Sequence, residues 1–271
     1  MERTFSRSPV VTALLLLIAL IWIGPFAWLV ATAFDPQAGG QLGIPHAIGL
    51  DNFVAAVSGP SGQQFINSMV ISIGTATFTV LIATAAAYPL SRMHIPGKDI
   101  MLWSLVLLRM MPEVGVIVPV FFAAKNLQGL NAAGMIASMT VLNIPFALLL
   151  LKNFFDTVPI ELEESAYIEG ATLTQIIRYV VVPLSRSGIA VVWFFTFTGA
   201  WNAFLLPLIF ARTDAAFPMS VGLYAAFGRY GSINYGFLAA YSIVYAFPAV
   251  VVYFLLRRNL NTGFAGVGVK G

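Results

Sequence analysis

The 271-residue chain has no cysteine and only two histidines, His46 and His94. Without cysteine there is no disulfide framework, no thiolate nucleophile and no cysteine-held metal. The histidines stand far apart, without ligand-like spacing, so no metal site is expected. Charge is scarce as well. Asp, Glu, Lys and Arg make up 9% of the residues, against about 25% in soluble domains. Much of any folded surface in water must be polar, and this chain cannot supply it, so the expected solvent is lipid. The net charge of +3 is small, and no basic patch with interleaved aromatics marks a nucleic-acid surface. No Gly-x4-Gly-Lys-Ser/Thr phosphate loop occurs, so ATP binding of the usual kind is not expected, and no enzyme constellation stands out.

What the chain has instead is long apolar runs. They predict an all-α polytopic membrane protein with six spans, near 9–33, 65–91, 100–124, 131–152, 186–211 and 236–256. Each reaches the roughly 20 residues that a helix needs to cross the hydrocarbon, and only helices satisfy their own backbone there. The first run, after Arg3 and Arg7, is too long for a cleavable signal core and has no clean small-residue cleavage site, so it is expected to be retained. Gly24-Pro25, Pro112, Pro119, Pro145 and Pro248 fall inside spans and suggest kinks. Ten basic residues fall on one predicted side (Arg3, Arg7, Arg92, Lys98, Lys152, Arg178, Arg186, Arg257, Arg258 and Lys270). Three fall on the other (Lys125, Arg212 and Arg229). The excess of basic residues places both termini in the cytoplasm. The loop at 34–64 has no basic residue and many turn formers, consistent with the outer side.

One island breaks the apolar pattern. "ELEESAYIEGATLTQIIRYVVVP", residues 161–183, holds Glu161, Glu163, Glu164 and Glu169 of the eleven acids. Pro159 suits a first helical turn, and the acids after it suit the positive end of the helix dipole. Gly170 stops this helix. Thr172 with Gln175 forms a capping-box pattern that starts a second one. Leu173, Ile176, Ile177, Val180 and Val181 then make one apolar stripe, and Pro183 is expected to end the helix. Between spans four and five, this amphipathic knob lies in the cytoplasm. Its acids repel anionic lipid over 159–170. Self-packing and docking into a partner's groove both remain open for the stripe.

Glu164-Ser165-Ala166, three residues, Gly170, nine residues and Val180-Val181-Val182-Pro183 resemble the EAA loop of ABC-importer permeases. That family's pattern is Glu-Ala-Ala, three residues, Gly, nine residues, Ile-x-Leu-Pro. Ser165, Val180 and Val182 depart from it by small or isosteric changes. The stretches 65–98, 110–122, 143–172, 197–210 and the terminal "GVGVKG" are similar to the carbohydrate, maltose-type branch. The resemblance covers roughly 60–271. It divides the chain into a first helix with its outer loop (1–64) and a core of five spans (65–271) carrying the coupling loop at 157–183. It implies a multi-pass subunit of a prokaryotic cytoplasmic membrane. The implied partners are a second, non-identical permease, two ATP-binding subunits holding ATP and Mg, and an extracytoplasmic solute-binding protein. No cofactor belongs to this chain. It further implies that Glu164, Ser165, Ala166, Tyr167, Glu169, Gly170, Ala171 and Pro183 serve coupling to the ATPase.

Arg109 falls inside span three, about nine residues from its start. Glu113 follows four residues later, on the same face if the helix is continuous. Intramembrane charge is costly and faces a cavity or a partner. The pair therefore reads either as a polar patch on the substrate pathway or as a structural ion pair. Asn143 and Trp201-Asn202 are further pathway candidates, since a flat ring beside an amide suits a sugar. Helix packing explains them equally simply. The aromatic tract 223–237 is expected outside, as a contact for the solute-binding protein or as an interfacial anchor. A permease of the same build for another solute, such as a glycerophosphodiester, polyamine or amino acid, and a secondary transporter are the alternatives.

Overall fold

The computed structural model describes residues 9–40, 43, 45–228 and 233–268. Arg3, Arg7, Arg229 and Lys270, four of the basic residues used for orientation, lie outside the described residues. The described residues are helical, without a strand. In order they form α1 (Pro9–Ala33), α2 (Asp51–Val57), α3 (Gly59–Arg92), α4 (Lys98–Met110), α5 (Glu113–Asn126), α6 (Ala132–Asp156), α7 (Ile160–Ile168) and α8 (Leu173–Ile176). A π-helical turn (Ile177–Val181) leads into α9 (Val182–Leu184). Then come α10 (Arg186–Asn202), α11 (Leu205–Phe210), a 3-10 turn (Asp214–Ala216), α12 (Met219–Gly228) and α13 (Tyr235–Gly268).

Among the described residues, four helices are long and apolar enough to cross a membrane singly: Pro9–Ala33, Gly59–Arg92, Ala132–Asp156 and Tyr235–Asn259. Two bent pairs bring the candidate spans to six. The expected third span is therefore not one straight helix. α4 and α5 meet at 100°. Met111 adopts extended backbone (φ −65°, ψ 137°), the conformation that a following proline imposes, and Pro112 opens α5. The expected fifth span is also interrupted, because extended backbone at Ala203 separates α10 from α11. Pro183 does not end its helix either. It lies within α9, and the chain turns by 77° only after Leu184. The wide π turn ahead of Pro183 makes room for a ring that has no N–H and crowds the carbonyl four residues back. Pro25, Pro89, Pro119, Pro145 and Pro248 remain inside their helices.

The chain forms two compact units: Met1–Gly62 with Leu223–Ala246, and Gln63–Gly222 with Phe247–Gly271. In the first, the loop after α1 is fastened rather than loose. The Asp35 carboxylate accepts the backbone N–H groups of Gln37 and His46, both at 2.9 Å, and His46 Nδ1 lies 3.2 Å from Oδ2. Buried Asn52 donates to the carbonyls of Ala33 and Asp35. The acid at the first turn of α2, Asp51, suits the helix dipole there. The two hydrogen-bonding amides, His46 first, hold the Asp35 carboxyl below the usual range.

Two hydrophobic cores are formed by described residues of the second unit. One joins Ala83, Ala87 and Tyr88 of α3, Ala147, Leu151 and Phe155 of α6, and Val192 of α10 with Ile176 and Val181 of the loop. The other joins Ile71, Ile117, Met135, Met139, Leu206 and Phe210. Small residues let the helices approach closely, as lipid-embedded packing requires. A Cβ on Gly188 would stand 2.2 Å from the Phe154 ring, so α10 lies against α6 there only because residue 188 is glycine.

Candidate functional site

The knob at 157–183 is built from two short helices on a locked base. Pro159 stands at the N-cap of α7, one position ahead of the first turn where the sequence places it. Gly170 closes the helix with φ +85°. Ala171 N–H donates to Ala166 O and Gly170 N–H to Tyr167 O, both at 3.0 Å. This paired pattern is a Schellman cap and needs the left-handed residue that glycine supplies. Thr172 then caps α8 in a full capping box with Gln175. The apolar stripe divides. Ile176 and Val181 are fully buried in the first core, with Ile177, Ala166 and Ala171 packed against it. Val180 is half-buried, and Leu173 stays exposed. The chain itself thus covers most of the stripe, and each fully buried aliphatic side chain contributes about 1.5–3 kcal/mol.

The base is polar. Glu163 is buried, although the sequence marks it only as one of several first-turn acids. Tyr88 Oη donates to its Oε2 at 2.9 Å, and Arg92 Nε donates to Oε1 at 2.8 Å with Nη2 at 2.7 Å. Arg92 Nη2 also donates to Val158 O, and Nη1 to Ser91 Oγ. Ser91 Oγ donates to Asp156 Oδ1 at 2.6 Å, and Lys152 pairs with Asp156 Oδ2 at 2.5 Å. The last turn of α3 is thereby tied to the end of α6 and to α7. Glu164, Ser165, Tyr167, Glu169 and Gly170 face outward instead. Ile168 is 88% exposed. A Cβ built on Gly170 meets nothing within 4 Å. The outward face of the knob is therefore apolar at Tyr167 and Ile168, acidic at Glu161, Glu164 and Glu169, and sterically open at its glycine.

A cavity of about 820 Å³ lies beside the second core, among the ends of α4 and α10, α5, α6 and α11. Arg109, Glu113, Asn143 and Asn202 all line it, with Met139 and Phe204. Four of the five predicted pathway residues are thus brought to one space from three parts of the chain. Trp201 is not. It is buried, stacked on Phe197 (5.9 Å) and edge-on to Phe65 (6.0 Å). Nor do Arg109 and Glu113 share a helical face, because the 100° break falls between them. They form no ion pair among the described residues. The Arg109 guanidinium sits 5.7 Å from the Phe146 ring centroid, a cation–π arrangement. Asn143 Nδ2 donates to Met139 O, and Asn202 Nδ2 to Thr198 O, both at 2.8 Å. A charge of each sign, two amides and otherwise apolar walls can hold a solute of mixed polar and apolar surface. Among the described residues no group of acids and histidines could hold a metal ion.

The family model for the binding-protein-dependent transport system inner membrane component matches residues 79–258. The chain belongs to this family. Relatives match over nearly the whole length of this permease. The galactooligosaccharides transport system permease protein GanQ of Bacillus subtilis (strain 168) is 30% identical over 99% of this chain and 98% of its own. The inner membrane ABC transporter permease protein YcjP of Escherichia coli (strain K12) is 32% identical over 100% of this chain and 99% of its own. One solved structure is a crystal structure of a bacterial ABC transporter involved in the import of the acidic polysaccharide alginate. A chain in it shares the fold with a TM-score of 0.80, at 18% identity, over 96% of this permease and 99% of that chain. The permease is an all-helical, multi-pass component of the inner membrane. Within it, residues 223–228 belong to α12 and 235–237 to α13, and positions 229–232 of that aromatic tract lie outside the described residues.

Proposed function

We propose that this permease is one of two non-identical membrane subunits of an ATP-driven importer of a sugar or oligosaccharide. It forms half of the translocation pathway and has both termini in the cytoplasm. The loop at 157–183 couples it to two ATP-binding subunits, which hold ATP and Mg. An extracytoplasmic solute-binding protein delivers the cargo. The permease itself catalyses no reaction and binds no cofactor. The name of its Bacillus subtilis relative, a galactooligosaccharide permease, supports the sugar. The cavity that gathers Arg109, Glu113, Asn143 and Asn202 supports a pathway through this half. ATP-driven closure of the ATPase pair moves the knob, and the cavity is exposed to one side and then the other as populations shift between two states.

The observation that carries the reading is the knob, with its buried side immobilised and its outward side, Tyr167, Ile168 and Gly170, left without cover. Because the chain has no cysteine, Ile168→Cys creates a unique thiol. Cross-linking of that thiol to the ATPase subunit, with uptake falling when the bond forms, is the expected result. A thiol that never reaches the ATPase, in a complex that still transports, would overturn the coupling role.

A second reading keeps the architecture and changes the cargo. Arg109 lines the cavity without an ion pair among the described residues, which suits a solute with a phosphate or carboxylate. Uptake assays with neutral and phosphorylated substrates separate the two.

A further inference from the structure

A second hollow, of about 290 Å³, lies between α9, the first turns of α10 and α13, and the transport reading uses only its Val182–Pro183 edge, where the coupling loop ends. Val182, Pro183, Ile189, Ala190, Trp193 and Leu256 wall it, and Arg186 is its one charged wall residue. Arg186 is exposed and has no ion pair or hydrogen bond among the described residues. The two stretches that build the hollow are free of acids. No Asp or Glu occurs from 170 to 213, nor from 215 to 271. They carry Arg178 and Arg186 on one wall's side and Arg257 and Arg258 on the other, and Arg257 directly follows the wall residue Leu256. From Arg186 to Trp193, seven residues on, α10 rises about 10 Å. The cation therefore stands at one end of the groove and the indole well down its apolar length. Trp193 is held in place by stacking on Phe197 at 5.3 Å and by its Nε1 donating to Thr77 Oγ1 at 3.4 Å.

We propose that this groove binds an anionic phospholipid, with an acyl chain along Ile189, Ala190 and Trp193 and the phosphate at Arg186. The charge pattern selects this occupant. An apolar helix of another subunit would fill the walls but leave Arg186 covered without a counter-charge, which is costly. A zwitterionic lipid fills the groove equally well but cancels the charge at its own headgroup. An anionic lipid satisfies both ends, as basic pockets between membrane helices do. The site depends only on the chain being embedded in lipid, so it stands apart from the coupling role and from the identity of the cargo.

Trp193 supplies the probe. The importer complex, purified through this chain, is placed in phosphatidylcholine vesicles containing a minor fraction of lipid brominated on its acyl chains. Emission from a Trp193→Phe complex is subtracted to isolate the Trp193 signal, which bromine quenches on contact. Brominated phosphatidylglycerol is expected to quench that signal at about fivefold lower mole fraction than brominated phosphatidylcholine, the scale of one arginine acting near a charged surface. Arg186→Gln is expected to erase the difference and Arg186→Lys to keep most of it. Ala190→Phe, which fills the groove without adding an indole, is expected to protect Trp193 from both lipids. Equal quenching by the two lipids would reduce the groove to ordinary bilayer contact and overturn the proposal. No quenching by either would mean that protein covers it, which overturns the proposal as well.

Discussion

Gly170 has two demands on it, and substitution separates them. Its φ of +85° costs a side-chain-bearing residue about 1–2 kcal/mol, with Asn tolerated best. Within the chain the space beside it is empty. Gly170→Asn is therefore expected to leave the thermal stability of the complex near the parent value. If the ATPase seats against this position, uptake nevertheless falls. Normal transport by the Asn variant would leave the glycine with a backbone role alone. Arg109 is tested in a similar way. Arg109→Gln removes the charge but keeps donors and most of the length. Uptake is expected to drop about tenfold or more, the scale of one charge-assisted hydrogen bond, while assembly and basal ATP hydrolysis survive. Loss of assembly instead would show that the guanidinium over Phe146 is structural.

At the scale of elements, the root of α7 is held by a buried ion pair and its hydrogen bonds. Arg92 and Glu163 have side chains only 11% and 8% exposed. Removing one partner leaves the other charge buried. Arg92→Ala is expected to cost about 3–5 kcal/mol, measured as earlier thermal unfolding and faster proteolysis within 157–172. Glu163→Gln keeps only one acceptor for Tyr88 and Arg92 and leaves the Arg92 charge without its counter-charge, so it is expected to loosen the same region. The loop after α1 depends on ionisation. The Asp35 carboxyl is held below its ordinary value by the amides of His46 and Gln37. A lowered folded-state pKa means the stabilisation is complete above the unfolded value of about 3.9. It fades as pH falls below that and is gone beneath the lowered value. Hydrogen exchange at the His46 and Gln37 amides is expected to stay slow at neutral pH and to accelerate only in that acid range. Asp35→Ala should make it fast at every pH.

Across the whole molecule, what the sequence discloses is what lipid dictates. A crossing needs about twenty apolar residues, and each of the six runs has them. The turn chemistry of the knob is equally readable, because Gly170 and the Thr172–Gln175 pair act through neighbours in the chain. What hides is whatever depends on distant partners. Glu163 and Glu164 look alike side by side, yet one is buried because Arg92, 71 residues earlier, reaches it, and the other is not. Trp201 and Asn202 are adjacent, and the packing of α10 sends only the second to the cavity. Pro112 breaks its span by 100°, whereas Pro89 and Pro145 leave theirs whole. Composition does not distinguish these prolines; at Pro112 the preceding Met111 takes extended backbone, whereas at Pro89 and Pro145 the helix runs through.

The strap from Arg92 to Glu163, Ser91 and Asp156 has a mechanical consequence. It bolts a handle to a shaft without backlash. A tug on α7 is delivered at once to the end of α3, whose 34 residues carry it along the full depth of the bilayer. Little travel is wasted in bending the joint.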